Sequence, residues 1–192
     1  VEPVKDSNMD NELIETSEGD ASNQHTDTNI PIPKSVIYKD LILMSTIIIV
    51  IVLDQLSKYM IKSTLNLYES WPETGVFRIY HTYNTGTAFG LLQGQTILLI
   101  VASLIALIFL IYIYNEYTLG NIILRMALGL QLGGAISNLS DRLAFGSVTD
   151  FISVGWWPVF NIADSSIIVG ITILIAGIFY REKLSKLNES KS

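Results

Sequence analysis

The sequence lacks cysteine altogether and has only two histidines among its 192 residues. Without cysteine the chain can form no disulfide, no thiolate metal site and no cysteine nucleophile. The two histidines, His25 and His81, are too few for a histidine-rich metal site. Any hydrolytic chemistry must therefore use other side chains, and we expect neither a metal nor a cofactor.

Signatures of nucleotide and nucleic-acid binding are also missing. The sequence contains no GxGxxG or Walker-type loop and no internal repeat of solenoid length. It has no basic patch of the kind that binds a phosphate backbone. The sequence therefore gives no support for nucleotide chemistry or for a nucleic-acid partner.

Negative charge is concentrated at the start of the chain. The formal net charge is −6, but residues 1–29 carry eight acidic side chains against a single lysine, Lys5. This stretch has too few apolar side chains to offset the entropy lost on ordering. We predict a disordered acidic tail over residues 1–35, a membrane domain over 36–181 and a cytoplasmic C-terminal tail over 182–192.

Long uncharged apolar runs make up most of the remainder, and 49% of all residues are apolar. A helix that crosses the hydrocarbon core needs about 20 mostly apolar residues. Four segments approach this length: 36–53, 97–114, 122–139 and 162–180. The sequence therefore predicts an all-α membrane protein with four transmembrane helices and with both termini on the same side.

Basic residues favour one side of these spans, and cytoplasmic flanks usually carry the excess of lysine and arginine. The side of the termini has Lys34, Lys39, Arg125, Arg181, Lys183, Lys186 and Lys191, and the other side has Lys58, Lys62, Arg78 and Arg142. The bias predicts cytoplasmic termini. The longer connections, 55–96 and 140–161, then lie outside, where we expect function.

The first outer connection contains a predicted strand. Residues 76–83 alternate loosely and include β-branched and aromatic side chains. We therefore expect a small extracytoplasmic β-rich connection between the first two helices. The aromatic residues nearby fit a belt at the membrane interface; they are Tyr68, Trp71, Trp156 and Trp157.

Ionisable and amide side chains gather at the outer ends of the predicted spans. These residues are Asp54, Lys58, Asn138, Asp141, Arg142 and Asp164. Charged groups at membrane depth cost free energy unless they are paired or face a polar cavity, so the cluster is a candidate functional site. Gly129, Gly133 and Gly134 would let the third helix pack closely against its neighbours.

Two carboxyl groups can hydrolyse a peptide bond without a covalent intermediate, because one takes a proton from water while the other protonates the substrate. The candidates are Asp54, Asp141, Asp150 and Asp164. Asp164 suits the ionised role in the first turn of a helix, where Asn161 is placed to cap it. Asp150 has apolar neighbours that favour the protonated form. Asp141 has an immediate counter-charge in Arg142. These arguments separate the candidates only in part.

Other functions must be weighed against a peptidase. A serine and lysine mechanism through Ser57 and Lys58 is disfavoured, because adjacent helical residues do not face each other. A proton-coupled transporter or channel component would need ionisable groups along the full membrane depth, whereas the inner halves of these spans carry almost none. A non-catalytic assembly factor would tolerate loss of the carboxylates.

Five motifs lie within residues 41–180: DQLSK at 54–58, NTGTAFG at 84–90, GGAISNLSDR at 133–142, VTDF at 148–151 and FNIAD at 160–164. They resemble the motifs of the lipoprotein signal peptidase family, also called signal peptidase II. Each motif is weak alone, but the five occur in the family's order on a chain with four predicted spans.

The resemblance implies an aspartic endopeptidase whose catalytic residues are Asp150 and Asp164. The residues implied to bind substrate or to support the site are Asp54, Lys58, Asn84, Gly86, Asn138, Asp141, Arg142 and Asn161. The implied setting is the outer leaflet of the bacterial cytoplasmic membrane.

The implied substrate is a prolipoprotein whose lipobox cysteine carries a diacylglyceryl group, cut on the amino side of that cysteine. Membrane lipids and globomycin-type inhibitors are the other implied partners. We expect residues 80–89 to close over the bound peptide as a lid.

Overall fold

The computed structural model describes residues 39–87, 92–114 and 121–189. Within them the elements are α1 (Leu41–Thr64), β1 (Ser70–Trp71), β2 (Phe77–Asn84), α2 (Thr96–Ile113), α3 (Ile122–Phe145), β3 (Val148–Val154) and α4 (Ile162–Glu189). The first three helices and residues 162–180 of α4 are each long and apolar enough to cross a membrane. The predicted four-span α-helical fold with a small β-rich part is therefore confirmed. The predicted acidic tail lies outside the described residues.

Helix α1 begins and ends later than the predicted span 36–53. Asp40 caps its first turn, where the side chain accepts two backbone N–H groups at 3.2 Å. The helix then continues through Asp54 to Thr64. The charge at Asp54 does not end the helix, because Lys58 pairs with it one turn later. At the other end of the chain, α4 runs to Glu189.

Helix α3 packs against each of the other three helices, and glycine permits the closest contacts. A Cβ on Gly133 would lie 2.8 Å from Val50 Cβ of α1, and one on Gly134 would lie 2.5 Å from the Ala163 carbonyl oxygen of α4. Gly129 faces α1 in the same way. Larger side chains would force these helices apart, so the predicted packing role of the three glycines is confirmed.

The three strands form one antiparallel sheet in the order β1-β2-β3. Strand β2 matches the predicted strand, whereas β3 was not predicted and comes from the connection between α3 and α4. Gly146 ends α3 with a φ of +72°, a left-handed conformation that favours glycine. The chain then enters β3, where Asp150 pairs with Thr82 of β2. The sheet thus joins both long connections at one end of the helices.

A separate polar cluster ties the helices together at the end remote from the sheet. Asp40 is buried, and it accepts hydrogen bonds from the Tyr114 hydroxyl at 3.0 Å and from Arg125 Nη1 at 3.4 Å. These contacts join the start of α1 to the residue after α2 and to the first turn of α3. Buried apolar side chains of the helices pack next to this cluster.

Candidate active site

All the site residues predicted from sequence belong to one network of hydrogen bonds and ion pairs at the sheet end of the helices. Helices α1, α3 and α4, strands β2 and β3, and the turns beside them supply these residues, which are Asp54, Lys58, Asn84, Gly86, Asn138, Asp141, Arg142, Asp150, Asn161 and Asp164. The structure therefore brings together residues that lie more than 100 positions apart in sequence.

Asp150 is 2% exposed and accepts a hydrogen bond on each carboxylate oxygen. Asn161 Nδ2 donates to Oδ1 at 2.7 Å, and Asn84 Nδ2 donates to Oδ2 at 2.9 Å. Burial, and then the negative charge of Asp164, raise the pKa of Asp150 to about 7 against the opposing effect of the two amide donors. The raised pKa favours the protonated form of Asp150, which is the form that can donate a proton.

Asp164 lies in the first turn of α4 and is only partly buried. Asn138 Nδ2 donates to its Oδ1 at 2.8 Å, and the backbone N–H of Asn161 donates to its Oδ2 at 3.2 Å. In return, Asp164 N–H donates to Asn161 Oδ1 at 2.9 Å. This reciprocal pair is a capping arrangement, so the predicted cap by Asn161 is confirmed. The helix N-terminus favours an anion at Asp164.

The three asparagines are each held in one orientation of the amide. The Oδ1 atom of Asn84 accepts from Gly86 N–H at 2.9 Å, that of Asn138 accepts from Lys58 Nζ at 3.1 Å, and that of Asn161 accepts from the first turn of α4. Because each oxygen already faces a donor, each Nδ2 is directed at a carboxylate. The two aspartates are thus bound by neutral amides.

Lys58 lies behind these amides with two other carboxylates. Its Nζ forms salt bridges with Asp54 Oδ2 at 2.5 Å and with Asp141 Oδ2 at 2.8 Å. All three side chains are almost fully buried. Asp54 also accepts from Ser137 Oγ at 2.7 Å and from Ala163 N–H at 2.9 Å. Buried charges are tolerated when they are paired in this way.

Arg142 was expected to be the counter-charge of Asp141, but its charge acts more strongly on Asp164 and Asp150 than on Asp141. The salt-bridge partner of Asp141 is Lys58, and Arg142 Nη2 instead donates to the Gly86 carbonyl oxygen at 3.3 Å. Adjacent residues on a helix point in different directions, so the two side chains reach different neighbours. Arg142 thereby holds the turn that follows Asn84.

Sequence reasoning missed two supporting residues, Gln55 and Ser137, that lie inside the quoted motifs. Gln55 Nε2 donates to Ser137 Oγ and to Asp141 Oδ1, each at 2.9 Å. A polar side chain next to Asp54 within an apolar helix was the available signal. Ser57 takes no part in the network, since its hydroxyl donates to the Asp54 carbonyl oxygen.

Two cavities meet at Asp150. The larger, of about 890 Å³, extends between α2, α3 and α4 and has mostly apolar walls, with Asp150 and Asp164 among its polar lining residues. The smaller, of about 430 Å³, lies beside the sheet and is lined by Tyr80, Thr82 and Tyr83 as well as Asp150. Asp150 thus lines both cavities, and Asp164 lines the larger one. Residues 88–91, which include part of the predicted lid, lie outside the described residues.

The family profile described as "Signal peptidase (SPase) II" matches residues 46–180. The chain belongs to the signal peptidase II family. Family membership makes it a peptidase, as the motif resemblance implied, and the transporter and assembly-factor alternatives receive no support.

Curated relatives in this family come from several bacteria. A lipoprotein signal peptidase of Halothermothrix orenii is 40% identical over 139 residues, which cover 72% of this chain and 95% of the relative. That of Moorella thermoacetica is 41% identical over 128 residues, with 66% and 85% covered. That of Shouchella clausii is 40% identical over 141 residues, with 72% and 93% covered.

Solved structures agree on the fold. A bacterial membrane enzyme determined by the in meso method at 2.3 Å resolution matches with a TM-score of 0.67 and 31% identity, over 72% of this chain and 87% of that one. A second, at 1.9 Å resolution, gives a TM-score of 0.64 and 31% identity, with 71% and 91% covered. The chain is therefore a multi-pass bacterial membrane hydrolase.

Proposed function

We propose that Asp150 and Asp164 are the catalytic pair of an aspartic endopeptidase that removes the signal peptide from prolipoproteins. The observation that carries this assignment is Asn161, which is fully buried and donates to both carboxylates, through its side chain to Asp150 and through its backbone to Asp164. Within the described part of the chain, no salt bridge neutralises either carboxylate.

The two carboxyl groups are suited to opposite roles in peptide hydrolysis. Asp164, at a helix N-terminus, is the ionised partner and takes a proton from water as the water oxygen attacks the scissile carbonyl carbon. Asp150, with its raised pKa, gives its proton to the carbonyl oxygen. The tetrahedral diol then collapses: the C–N bond breaks, the leaving nitrogen takes the proton from Asp164, and a diol hydroxyl returns a proton to Asp150.

The remaining predicted site residues support this pair. Lys58, with Asp54 and Asp141, fixes the amide of Asn138 that holds Asp164. On the other side, Arg142 and Gly86 fix the turn that directs Asn84 at Asp150. The supporting residues therefore act through the three asparagines.

The proposed substrate is a prolipoprotein with a diacylglyceryl cysteine, cut on the amino side of that cysteine. The named relatives are lipoprotein signal peptidases. The larger cavity is mostly apolar and includes both aspartates in its lining, which suits an apolar signal peptide, while the acyl chains of the modified cysteine remain in the surrounding lipid. We expect a globomycin-type cyclic peptide to compete for the same cavity, which an inhibition assay with increasing substrate would show.

The proposed orientation places both termini in the cytoplasm and the catalytic pair at the outer leaflet of the cytoplasmic membrane. It is supported by the bias of lysine and arginine toward the side of the termini. Because the native chain has no cysteine, single cysteines give unambiguous labels. An impermeant maleimide added to intact spheroplasts should label Glu73→Cys and leave Lys183→Cys unlabelled. The reverse pattern would overturn the orientation.

The catalytic proposal is tested with detergent-purified protein and a diacylglyceryl-modified prolipoprotein, whose cleavage shifts its gel mobility. The wild type should cut, whereas Asp150→Asn and Asp164→Asn should lose at least about 100-fold in rate, because each removes acid–base catalysis. Asp40→Asn is the matched control: it changes a buried aspartate at the opposite end of α1 and should leave the rate unchanged. Cleavage by either folded pair variant at the wild-type rate would overturn the assignment.

A further inference from the structure

Four residues of α3 line the larger cavity: Gln131, Ala135, Asn138 and Arg142. They lie three or four positions apart and so form one stripe along the helix. Asn138 and Arg142 belong to the catalytic network. Gln131 lies seven residues before Asn138, which is about 10 Å along the helix axis, and the catalytic network does not use it.

Gln131 is a polar residue in an apolar part of the cavity. It is 4% exposed, and the apolar residues that line the same cavity include Ala106 and Leu110 from α2 and Ile167 from α4. Its Nε2 donates only to the Ala127 carbonyl oxygen of its own helix, at 3.3 Å. In residues 39–87, 92–114 and 121–189, no group donates to its Oε1. Gln131 lines the cavity, and its Oε1 is not among the enclosed side-chain atoms that lack a partner, so this oxygen is open to the cavity and can accept a hydrogen bond from a bound ligand.

The packing of α4 leaves room for this side chain. A Cβ on Gly170 would lie 2.7 Å from Gln131 Cγ, so the absence of a side chain at Gly170 creates the space that the glutamine stem fills. The amide is therefore held against the cavity.

A ligand group that pairs with Oε1 must be a hydrogen-bond donor, because a carbonyl oxygen only accepts. The esters of a diacylglyceryl group only accept hydrogen bonds, so they cannot satisfy Oε1. A serine or threonine hydroxyl can donate to Oε1 and accept from Nε2. The backbone N–H groups of a helical signal peptide are already bonded within that helix.

We propose that Gln131 is a specificity-determining residue that favours signal peptides with a serine or threonine opposite it in the larger cavity. This inference rests on the proposed function. About 10 Å corresponds to about seven residues of helix, the conformation in which the peptide backbone cannot itself satisfy Oε1. The hydroxyl is therefore expected between about the seventh and the ninth residue before the modified cysteine.

The test is a scan of synthetic diacylglyceryl prolipoproteins that carry serine or alanine at each of these positions in turn. For each position, kcat/KM is measured for both substrates with the wild type, with Gln131→Met and with Thr172→Val. Thr172 is an exposed residue of α4 whose hydroxyl bonds to its own helix, so this variant is the control. The ratio of serine to alanine substrates within one preparation does not depend on how much of the protein is folded.

We expect one position at which the wild type and Thr172→Val prefer serine by about three- to tenfold, the range for one hydrogen bond within a membrane, and at which Gln131→Met loses that preference. A wild type that cleaves both substrates equally at every position would overturn the inference while leaving the peptidase intact. So would a preference that Gln131→Met retains. A wild type that cleaves no substrate at all would overturn the proposed function itself.

Discussion

Two pairs of aspartates lie at the same end of the molecule and are held by different chemistry. Asp54 and Asp141 are 0% and 2% exposed and share the ammonium group of Lys58. Asp150 and Asp164 are held by asparagine amides and by one backbone N–H. The first pair is neutralised in part by a fixed cation, and the second pair is bound by groups without formal charge.

This difference separates structural from chemical carboxylates. A buried carboxylate in a salt bridge belongs to the structure, because loss of its cation leaves an unpaired buried charge. Amide donors orient a carboxylate with a smaller electrostatic bias, so that burial and the neighbouring carboxylate can raise the pKa, as they do at Asp150. We therefore expect the Lys58 cluster to set stability and the amide-held pair to set the rate.

The largest expected effect on stability comes from Lys58→Met, which leaves Asp54 and Asp141 buried without their cation. Breaking a buried ion pair in this way costs about 3–5 kcal/mol, which unfolding in detergent would measure. The triple variant Lys58→Met/Asp54→Asn/Asp141→Asn removes the stranded charges and should recover most of that loss. Equal stability of the single variant and the wild type would show that the cluster is not structural.

A smaller effect is expected where α3 contacts its neighbours. Gly134→Ala would place a Cβ 2.5 Å from the Ala163 carbonyl oxygen, beside Asp164, whereas Gly129→Ala would place one 2.7 Å from Thr46 Cβ, away from the site. Each should cost about 1–3 kcal/mol of stability through overpacking. Only Gly134→Ala should also lower kcat per folded molecule. If both variants lowered kcat equally, the contact with α4 would have no special role in positioning Asp164.

The smallest expected effect is a shift in pH dependence. Because Asp150 acts as the acid and its pKa is raised to about 7, kcat/KM should fall as the pH rises through about 7 and the proton is lost. Asn84 donates to Asp150 and lowers its pKa, so Asn84→Leu should move this decline to higher pH. The profile of kcat/KM against pH measures the shift. A decline that moved to lower pH would contradict the assignment of this decline to Asp150, because loss of the Asn84 hydrogen bond can only raise the pKa of that carboxyl.

The elements that rest on local sequence were predictable. Long apolar runs gave the four spans, alternation gave β2, and the capping position of Asn161 followed from its place before α4. Convergence of the polar residues also followed, because an up-and-down order of helices brings the same ends together. These features depend on local composition and on the alternating directions of successive spans, and both can be read from the sequence.

Features that depend on helix rotation and on pairing across the fold were not predictable. Lys58 and Asp141 form a salt bridge although they are 83 positions apart in sequence. This contact depends on the close packing of α1 on α3 at Gly129 and Gly133. Strand β3, VTDFISV, mixes apolar and polar side chains without regular alternation, and its pairing with β2 identifies it as a strand. Gln131 has no motif around it, and its position in the cavity becomes visible only once α2 and α4 are in place.

The most direct test of the comparison is the rate of prolipoprotein cleavage per folded molecule for the four variants Asp54→Asn, Asp141→Asn, Asp150→Asn and Asp164→Asn, each with its unfolding temperature. We predict that the first two unfold at lower temperature but still cleave within about tenfold of the wild type, and that the last two fold and lose at least about 100-fold in rate. A folded Asp150→Asn or Asp164→Asn protein that cleaves like the wild type, or a stable but inactive Asp54→Asn or Asp141→Asn protein, would contradict this division between structural and catalytic carboxylates.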